Sequence, residues 1–233
     1  DDLKVRTQFG ANYDRLQSES FLKPTARLNS FIGTTGTKTD TSSDRLDYNW
    51  RNELSYGKEF GNHDLRLTVA SEYSKDNFYT IELNSRNFPN DFQNTQNLAG
   101  SIDQDSNTRR FGISRYGYIG ALNYDYENKY FLNAYFRRDG TSLAGLDNQY
   151  GNFYGASLAW DLARESFMDS ADWVKALRIT GSWGTLGNDN VLTTYSNFSS
   201  ITTGILYGNN PAALVAENVA NPDVSWETNE KTN

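Results

Sequence analysis

Alternation of apolar and polar residues with a period of two most constrains the fold of this 233-residue chain. In residues 3–14, leucine, valine, phenylalanine and tyrosine alternate with lysine, arginine, glutamine and asparagine. Because successive side chains of a strand point to opposite faces, this pattern predicts a half-buried β-strand. It recurs at residues 46–57, 65–74, 116–126, 130–138, 150–161 and 177–183, and less clearly at 21–32. We therefore predict an all-β chain of about eight strands, with one helix of about two turns at residues 165–174.

The connections between these strands are of two kinds. Residues 60–64, 127–129 and 163–174 form short connections, whereas residues 83–112, 139–149 and 185–228 form long polar ones. Short turns at one end and long loops at the other are typical of outer-membrane barrels. The pattern predicts an antiparallel transmembrane β-barrel segment with short periplasmic turns and long extracellular loops. A soluble antiparallel sandwich remains the alternative.

Aromatic residues make up 14% of the chain, which excludes a disordered polypeptide. Several of them are expected near strand ends, where the two aromatic girdles of a membrane barrel lie. These are Tyr124, Tyr126, Tyr130, Trp160, Trp173 and Trp183. The core of a large sandwich would also account for them.

Composition argues against most catalytic and cofactor chemistry. The chain has no cysteine and one histidine, which excludes thiol nucleophiles, iron–sulfur clusters, cysteine-ligated zinc and histidine-rich metal sites. His63 lies in a Gly-Asn-His-Asp sequence and is expected in a solvated turn. A net charge of −7 argues against nucleic acid as a partner. We expect no enzyme activity, no metal and no cofactor.

The long loops are rich in aspartate, asparagine and tyrosine, a composition that suits the binding of sugars or peptides. Tyr195, Phe198 and Tyr207 are the candidate substrate-binding residues in the last long loop. Packing of that loop on itself is the alternative role for each of them.

Four motifs resemble, in sequence order, the barrel of the SusC/RagA family of TonB-dependent outer-membrane transporters. They are Arg115-Tyr-Gly-Tyr-Ile-Gly-Ala-Leu-Asn-Tyr124, Arg137-Arg-Asp-Gly-Thr-Ser142, Leu177-Arg-Ile-Thr-Gly-Ser-Trp-Gly-Thr-Leu-Gly-Asn188 and Asn221-Pro-Asp-Val-Ser-Trp-Glu-Thr228. The second resembles the family's Arg-x-Asp-Gly-Ser-Ser signature. It departs from the family at Thr141, and Leu143-Ala-Gly145 replaces the basic-aromatic-glycine run that commonly follows. Both departures are expected at an extracellular strand end, where they bear on substrate contacts.

The resemblance implies a 22-strand barrel in the bacterial outer membrane, plugged by an N-terminal domain and energised through the TonB complex. It also implies a SusD-like surface lipoprotein as partner and an oligosaccharide or peptide as substrate. Residues 1–233 are then expected to be an internal part of the barrel domain, with the plug and the remaining strands outside this sequence. The alternatives are a self-standing eight-strand outer-membrane anchor or adhesin, and a secreted carbohydrate-binding sandwich.

Overall fold

The computed structural model describes residues 2–27, 36–92, 94–96, 103–171, 173–193, 202–207, 210–214 and 221–233. Within them the chain forms ten β-strands and three short 3₁₀ turns. The strands are β1 (Asp2–Leu22), β2 (Thr37–Phe60), β3 (His63–Arg86), β4 (Asp103–Tyr126), β5 (Tyr130–Thr141), β6 (Tyr150–Asp161), β7 (Arg178–Asn188), β8 (Thr202–Tyr207), β9 (Asn210–Leu214) and β10 (Glu227–Thr232). No helix in the described part of the chain is long and apolar enough to cross a membrane.

Eight strands form one antiparallel sheet in the order β1-β2-β3-β4-β5-β6-β7-β10, and β8 pairs with β9 in a separate hairpin. From β1 to β7, each strand is hydrogen-bonded to the next one along the chain, which makes the topology an up-and-down meander. The predicted all-β antiparallel fold of about eight strands is confirmed.

The strands are divided between two compact units. The first unit contains Asp1–Gly10, Asn49–Ser74 and Ile113–Asn233, and the second contains Ala11–Tyr48 and Lys75–Gly112. Each of β1 to β4 therefore contributes one stretch to each unit. Within the second unit, Phe21 packs edge-on against Phe88 with ring centroids 5.2 Å apart. The candidate site described below lies within the first unit.

The register of β4 to β7 gives this part of the sheet two unlike faces. On one face, which we call the apolar face, paired residues form four cross-strand rungs. These are Tyr126–Tyr130–Trp160–Ile179, Tyr124–Leu132–Leu158–Gly181, Leu122–Ala134–Ala156–Trp183 and Gly120–Phe136–Tyr154. From Tyr130 to Phe136 these rungs span ~20 Å at about 3.4 Å per residue.

The opposite face, which we call the polar face, carries small and polar residues together with a few aromatic ones. Its rungs are Asp125–Phe131–Ala159–Thr180, Asn123–Asn133–Ser157–Ser182, Ala121–Tyr135–Gly155–Gly184, Ile119–Arg137–Phe153 and Gly117–Asp139–Gly151. Because one register generates both faces, a shift of one residue would exchange them.

Two of the predicted short connections are tight hairpin turns. Gly61, between β2 and β3, has φ +61°, a left-handed value at which glycine is not strained. Between β4 and β5, Glu127 and Asn128 both have φ +55°, as a type I′ turn requires. The Asn128 amide is held by Asp125 Oδ1 at 2.7 Å. Both turns lie at the same end of the meander, which we call the short-turn end.

Three local predictions were wrong. Residues 23–27 follow the end of β1 and are not a strand, and the eighth strand of the sheet is β10. The connection between β6 and β7 contains the single turns Leu162–Arg164 and Ser166–Met168 instead of a two-turn helix. Trp183 lies in the middle of β7 and not at a strand end.

His63 was also misplaced by the sequence pattern. It is the first residue of β3, and its ring lies between those of Phe60 and Tyr126, with centroid distances of 4.8 and 4.7 Å. Its Nδ1 atom is 2.7 Å from Tyr124 Oη. His63 is thus part of an aromatic cluster, because the turn comprises only the two residues before it.

Candidate functional site

A cavity of about 600 Å³ lies against the polar face in the first unit. Its lining includes Arg51, Glu72, Arg137 and Asp139, together with aromatic residues such as Phe153. Charged side chains beside aromatic surface can hold a polar ligand, because the charges orient its polar groups while the rings cover its apolar parts. We take this cavity as the candidate site.

A chain of alternating charges crosses the cavity wall from β2 to β5. Arg51 donates to Glu72 and, at 2.8 Å, to Glu53. Glu72 also accepts a hydrogen bond from Arg137 Nη2 at 3.1 Å, and Arg137 Nε contacts Asp139 Oδ2 at 2.6 Å. The two guanidinium groups thus share the carboxylate of Glu72.

These ion pairs fix the orientation of the charged side chains but contribute little to the stability of the fold. The side chains of Arg51 and Arg137 are about two-fifths exposed, and such partly solvated ion pairs contribute at most about 1 kcal/mol each. Their positions are nevertheless well defined, because each guanidinium is held by two carboxylates. The wall therefore presents fixed positive and negative groups to the cavity.

Aromatic rings on the polar face lie across glycines of neighbouring strands. A Cβ atom on Gly187 would lie 2.0 Å from the ring of Phe153, and one on Gly155 would lie 2.1 Å from the ring of Tyr135. Tyr135 Oη donates to the carbonyl of Thr185 at 2.9 Å. Because glycine has no side chain, both rings can lie close over the backbone of the neighbouring strand. The cavity lies against these two rings.

Trp226 completes this aromatic wall. Its ring meets that of Phe153 edge-on with centroids 5.6 Å apart, and its indole N–H donates to the carbonyl of Gln149 at 3.1 Å. Phe153 is only 3% exposed, so it anchors the wall, while the partly exposed Trp226 faces the cavity.

Two of the sequence motifs meet at a buried junction next to this wall. Leu143, Ala144 and Leu192 form a buried cluster, and Val224 packs against it. The Gly145 amide donates to the Val224 carbonyl at 2.9 Å. The Arg-Asp-Gly-Thr-Ser segment and the Asn-Pro-Asp-Val segment are thus packed together.

The departures from the family pattern lie at this junction. Thr141, Leu143 and Ala144 are all buried, with at most 4% of their surface exposed. They therefore contribute to the packing of the junction, and their bearing on substrate contacts stays a prediction.

The side chains of the three predicted substrate-binding aromatics all lie outside the described part of the structure. Tyr195 and Phe198 lie outside the described residues. Tyr207 is the last residue of β8, where it pairs with Asn210, and its side chain lies outside the described part. All three remain predictions.

Sequence reasoning did not identify Arg51, Glu72, Phe153 or Trp226 as site residues. Arg51 and Glu72 were placed on the polar sides of their strands, which was the available signal. The carboxylate of Glu72 gave no recognisable pair in the sequence, because Arg51 and Arg137, which hold it, come from other parts of the chain. Among the described residues, no group of three acidic or histidine side chains could hold a metal ion.

A second polar cluster holds the short-turn end together. Glu165 accepts hydrogen bonds from Tyr130 Oη at 2.5 Å and Trp160 Nε1 at 2.9 Å, and Lys129 Nζ lies 3.5 Å from it. Glu127 accepts from Asn62 Nδ2 at 2.9 Å and contacts Lys129 at 3.2 Å. These bonds join the two hairpin turns to the connection between β6 and β7.

The same contacts shift the titration of the cluster. The hydrogen bond from Tyr130, then that from Trp160, lowers the pKa of Glu165 below its ordinary value of 4.5. Lys129 and Asn62 lower the pKa of Glu127 in the same way, and Glu127 raises the pKa of Lys129. All three groups are therefore charged at neutral pH.

Replacing Glu165 with glutamine should make the stability of the short-turn end less dependent on acid. Because the folded-state pKa of Glu165 lies below its ordinary value of 4.5, its stabilisation is complete above that pH. The stabilisation is lost as the pH falls through the folded-state pKa. As the pH falls below 4.5, we expect the wild type to lose more stability, relative to its own value at neutral pH, than Glu165→Gln does.

Thermal unfolding between pH 3 and 7 measures this difference. Asp147→Asn, in the Leu146–Asn148 turn, is the control for removal of a single negative charge. Parallel pH profiles for the wild type and Glu165→Gln would contradict the assignment.

Comparisons with known proteins agree with the motifs. No protein-family model matches the chain. The chain is 27% identical over 234 aligned residues to a TonB-dependent receptor of Formosa agariphila, an alignment that covers 99% of this chain and 23% of that receptor. It is 24% identical over 201 residues to the TonB-dependent receptor SusC of Bacteroides thetaiotaomicron, which covers 82% of this chain and 18% of SusC.

Among solved structures, the fold matches a chain of the RagAB peptide transporter with a TM-score of 0.86 and 21% identity, covering 99% of this chain and 25% of that chain. The RagAB peptide importer in its open-open state matches with a TM-score of 0.82. The chain thus spans about a quarter of the length of its relatives. The resemblance to TonB-dependent receptors of the SusC/RagA type is confirmed.

Proposed function

We propose that this chain, as a homologue of the TonB-dependent receptors of the SusC/RagA type, is part of the barrel domain of a bacterial outer-membrane importer. The observation that carries the proposal is the pair of unlike faces on β4 to β7. The apolar face spans ~20 Å along the strands, close to the ~25 Å apolar band of membrane barrels. Its rungs would face lipid, and the polar face would line the lumen.

The strand lengths support the same arrangement. A strand crosses the hydrocarbon layer in about 9 to 11 residues. β2, β3 and β4 have 24 residues each, so much of each strand would extend beyond the membrane. We place the short-turn end in the periplasm and the long connections outside the cell.

In this proposal the chain performs no covalent chemistry and is not an enzyme. The guanidinium groups of Arg51 and Arg137 and the carboxylate of Asp139 offer donors and acceptors to a solute that passes along the polar face, while Trp226 covers its apolar parts. An oligosaccharide or a peptide fits this mixture of groups. A SusD-like lipoprotein would dock at the end of the sheet opposite the short-turn end, where the long connections lie. Energy from the TonB complex would enter through parts of the protein outside this sequence.

Uptake in the native host tests the proposal. Deleting the gene should abolish the proton-motive-force-dependent uptake of an oligosaccharide or a peptide, and re-expression should restore it. The polypeptide should fractionate with the outer membrane at a mass far above 26.4 kDa. A water-soluble polypeptide of only 26.4 kDa would favour the carbohydrate-binding sandwich. A membrane polypeptide of only 26.4 kDa would favour the self-standing anchor or adhesin.

The loop aromatics give a prediction at the level of single residues. Replacing Tyr195, Phe198 or Tyr207 with alanine in the full-length receptor should weaken substrate affinity about fivefold, equivalent to about 1 kcal/mol, if each ring covers the substrate. Isothermal titration with the transported oligosaccharide or peptide measures the change.

Tyr118→Ala is the matched control, because Tyr118 is an exposed aromatic on the apolar side of β4 and should not touch substrate. Unchanged affinity in all three loop variants would mean that these rings only pack within their own loop.

A further inference from the structure

The connection between β6 and β7 exposes two aromatic side chains at the short-turn end. Phe167 is 61% exposed and Trp173 is 85% exposed. Isolated exposed aromatics are common on protein surfaces and need no explanation. Phe167 and Trp173 do need an explanation, because they lie next to the apolar face.

Glu165 ties this connection to the apolar face. Its carboxylate accepts hydrogen bonds from Tyr130 and Trp160, which belong to the rung of that face nearest the turns. The Ser166–Met168 turn, which contains Phe167, follows directly. The chain therefore leaves the rim of the sheet on its apolar side.

Apolar surface continues on both sides of this anchor. On one side, a row of rings runs along the short-turn end from Phe60 through His63, Tyr126 and Tyr130 to Trp160, with neighbouring centroids 4.7 to 6.2 Å apart. On the other side, Leu177 and Ile179 are exposed where the chain enters β7. Phe167 and Trp173 thus extend an existing aromatic band instead of forming an isolated patch.

Basic side chains accompany these rings. Arg164 and Lys175 are exposed and lie in or beside the same connection, which also carries the acidic Glu165 and Asp169. Arg178 instead belongs to the polar face, where its guanidinium lies 4.5 Å from the ring centroid of Phe131 and donates to Asp161 at 3.0 Å. Arginine and lysine can lay their aliphatic stems on apolar surface while the charged ends reach phosphate groups. Tryptophan with flanking basic residues is typical of the boundary between hydrocarbon and headgroups.

We propose that residues 162–171 and 173–174 lie in the periplasmic headgroup layer of the outer membrane, with Phe167 and Trp173 inserted among the lipids. The partner is the phospholipid surface. This inference rests on the membrane location proposed above and adds a second contact with lipid, made by a connection and not by a strand. The hydrogen bonds from Tyr130 and Trp160 to Glu165 would fix the orientation of the connection relative to the bilayer.

Site-directed spin labelling in the full-length receptor tests this placement. Residues 1–233 contain no cysteine, so Phe167→Cys and Trp173→Cys introduce single labelling positions in this region once any cysteines elsewhere in the receptor are replaced. The labelled receptor is reconstituted in phosphatidylethanolamine–phosphatidylglycerol vesicles. Label accessibility is then measured to oxygen, which concentrates in lipid, and to a nickel chelate that stays in water.

Two control positions bracket the result. Leu158→Cys lies in the centre of the apolar face, where the side chain is 63% exposed, and should report lipid. Leu146 lies in the Leu146–Asn148 turn between β5 and β6, and its side chain is 83% exposed. A label at Leu146→Cys should therefore report water. We expect the oxygen-to-chelate ratio at positions 167 and 173 to exceed that at 146 at least about threefold.

The outcomes separate this inference from the proposed function. Ratios at 167 and 173 equal to that at 146, with lipid contact at 158, would overturn the inference and leave the barrel proposal intact. Low accessibility to both reagents at 167 and 173 would mean that protein covers them, which also overturns it. An aqueous signal at 158 would contradict the membrane barrel itself.

Discussion

Replacing Gly145 with alanine should lower the free energy of unfolding by about 2 to 3 kcal/mol, as overpacking of a tightly packed site does. A Cβ atom at this position would lie 1.8 Å from the carbonyl oxygen of Pro222. That oxygen belongs to the backbone and cannot turn aside as a side chain could. Gly145 has φ −58° and ψ 153°, which alanine also adopts, so the effect is steric and not conformational.

The substitution should separate the two motifs that meet at this junction. The hydrogen bond from Gly145 to Val224 would lengthen, and the buried cluster of Leu143, Ala144 and Leu192 would open. Urea unfolding of the receptor in lipid vesicles measures the change. Limited proteolysis would show earlier cleavage around residues 221–226.

Gly120→Ala is the matched control, because nothing lies within 4 Å of a Cβ atom placed there. It should leave stability unchanged or raise it slightly, since alanine restricts the unfolded chain more than glycine does. Equal losses in the two variants would contradict the steric explanation.

Replacing Phe153 with alanine should cost about 3 to 4 kcal/mol, as loss of a buried phenylalanine commonly does. Phe153 is 3% exposed and lies against the ring of Trp226 and over Gly187. The glycine has no side chain with which to fill the space, so the cavity left behind would persist. Urea unfolding measures the loss of stability.

The same variant should also weaken ligand binding at the candidate site, because Trp226 would lose its support. Phe136→Ala is the control on the apolar face, where Phe136 is partly exposed beside Tyr154. Lipid chains can replace its contacts, so it should cost no more than about 1 kcal/mol. Equal costs at the two positions would contradict the assignment of the two faces.

The sequence predicted most accurately where one face of a strand is apolar. The strands from Tyr116 to Trp160 and the turn at Glu127 and Asn128 were found from alternation and turn residues alone. The first part of β2, residues 37–45, was missed because polar residues occupy both of its faces. There, side-chain hydrogen bonds such as that between Ser43 and Thr80, at 2.6 Å, accompany the pairing in place of apolar burial. The last part of β3 was missed although Tyr79, Ile81 and Leu83 alternate with polar residues.

The candidate site was less predictable than the strands. The alternation placed Arg51 and Glu72 on polar faces, but nothing local indicated that Arg137, 65 residues after Glu72, would share its carboxylate. The sequence indicated loop aromatics instead, since exposed rings in polar loops are a general signal for ligand binding. The wall built from Phe153 and Trp226 had no such local signal.

What the sequence by itself determined is the strands with one apolar face, their tight turns and the unlike character of their two faces. These properties depend on neighbouring residues, since side-chain direction alternates along a strand and positive φ favours particular turn residues. Only the tertiary structure decided which charges share partners, which rings lie over glycines, and how closely Gly145 approaches Pro222. Those contacts depend on register between strands and loops far apart in the chain, where a shift of one residue would replace every partner.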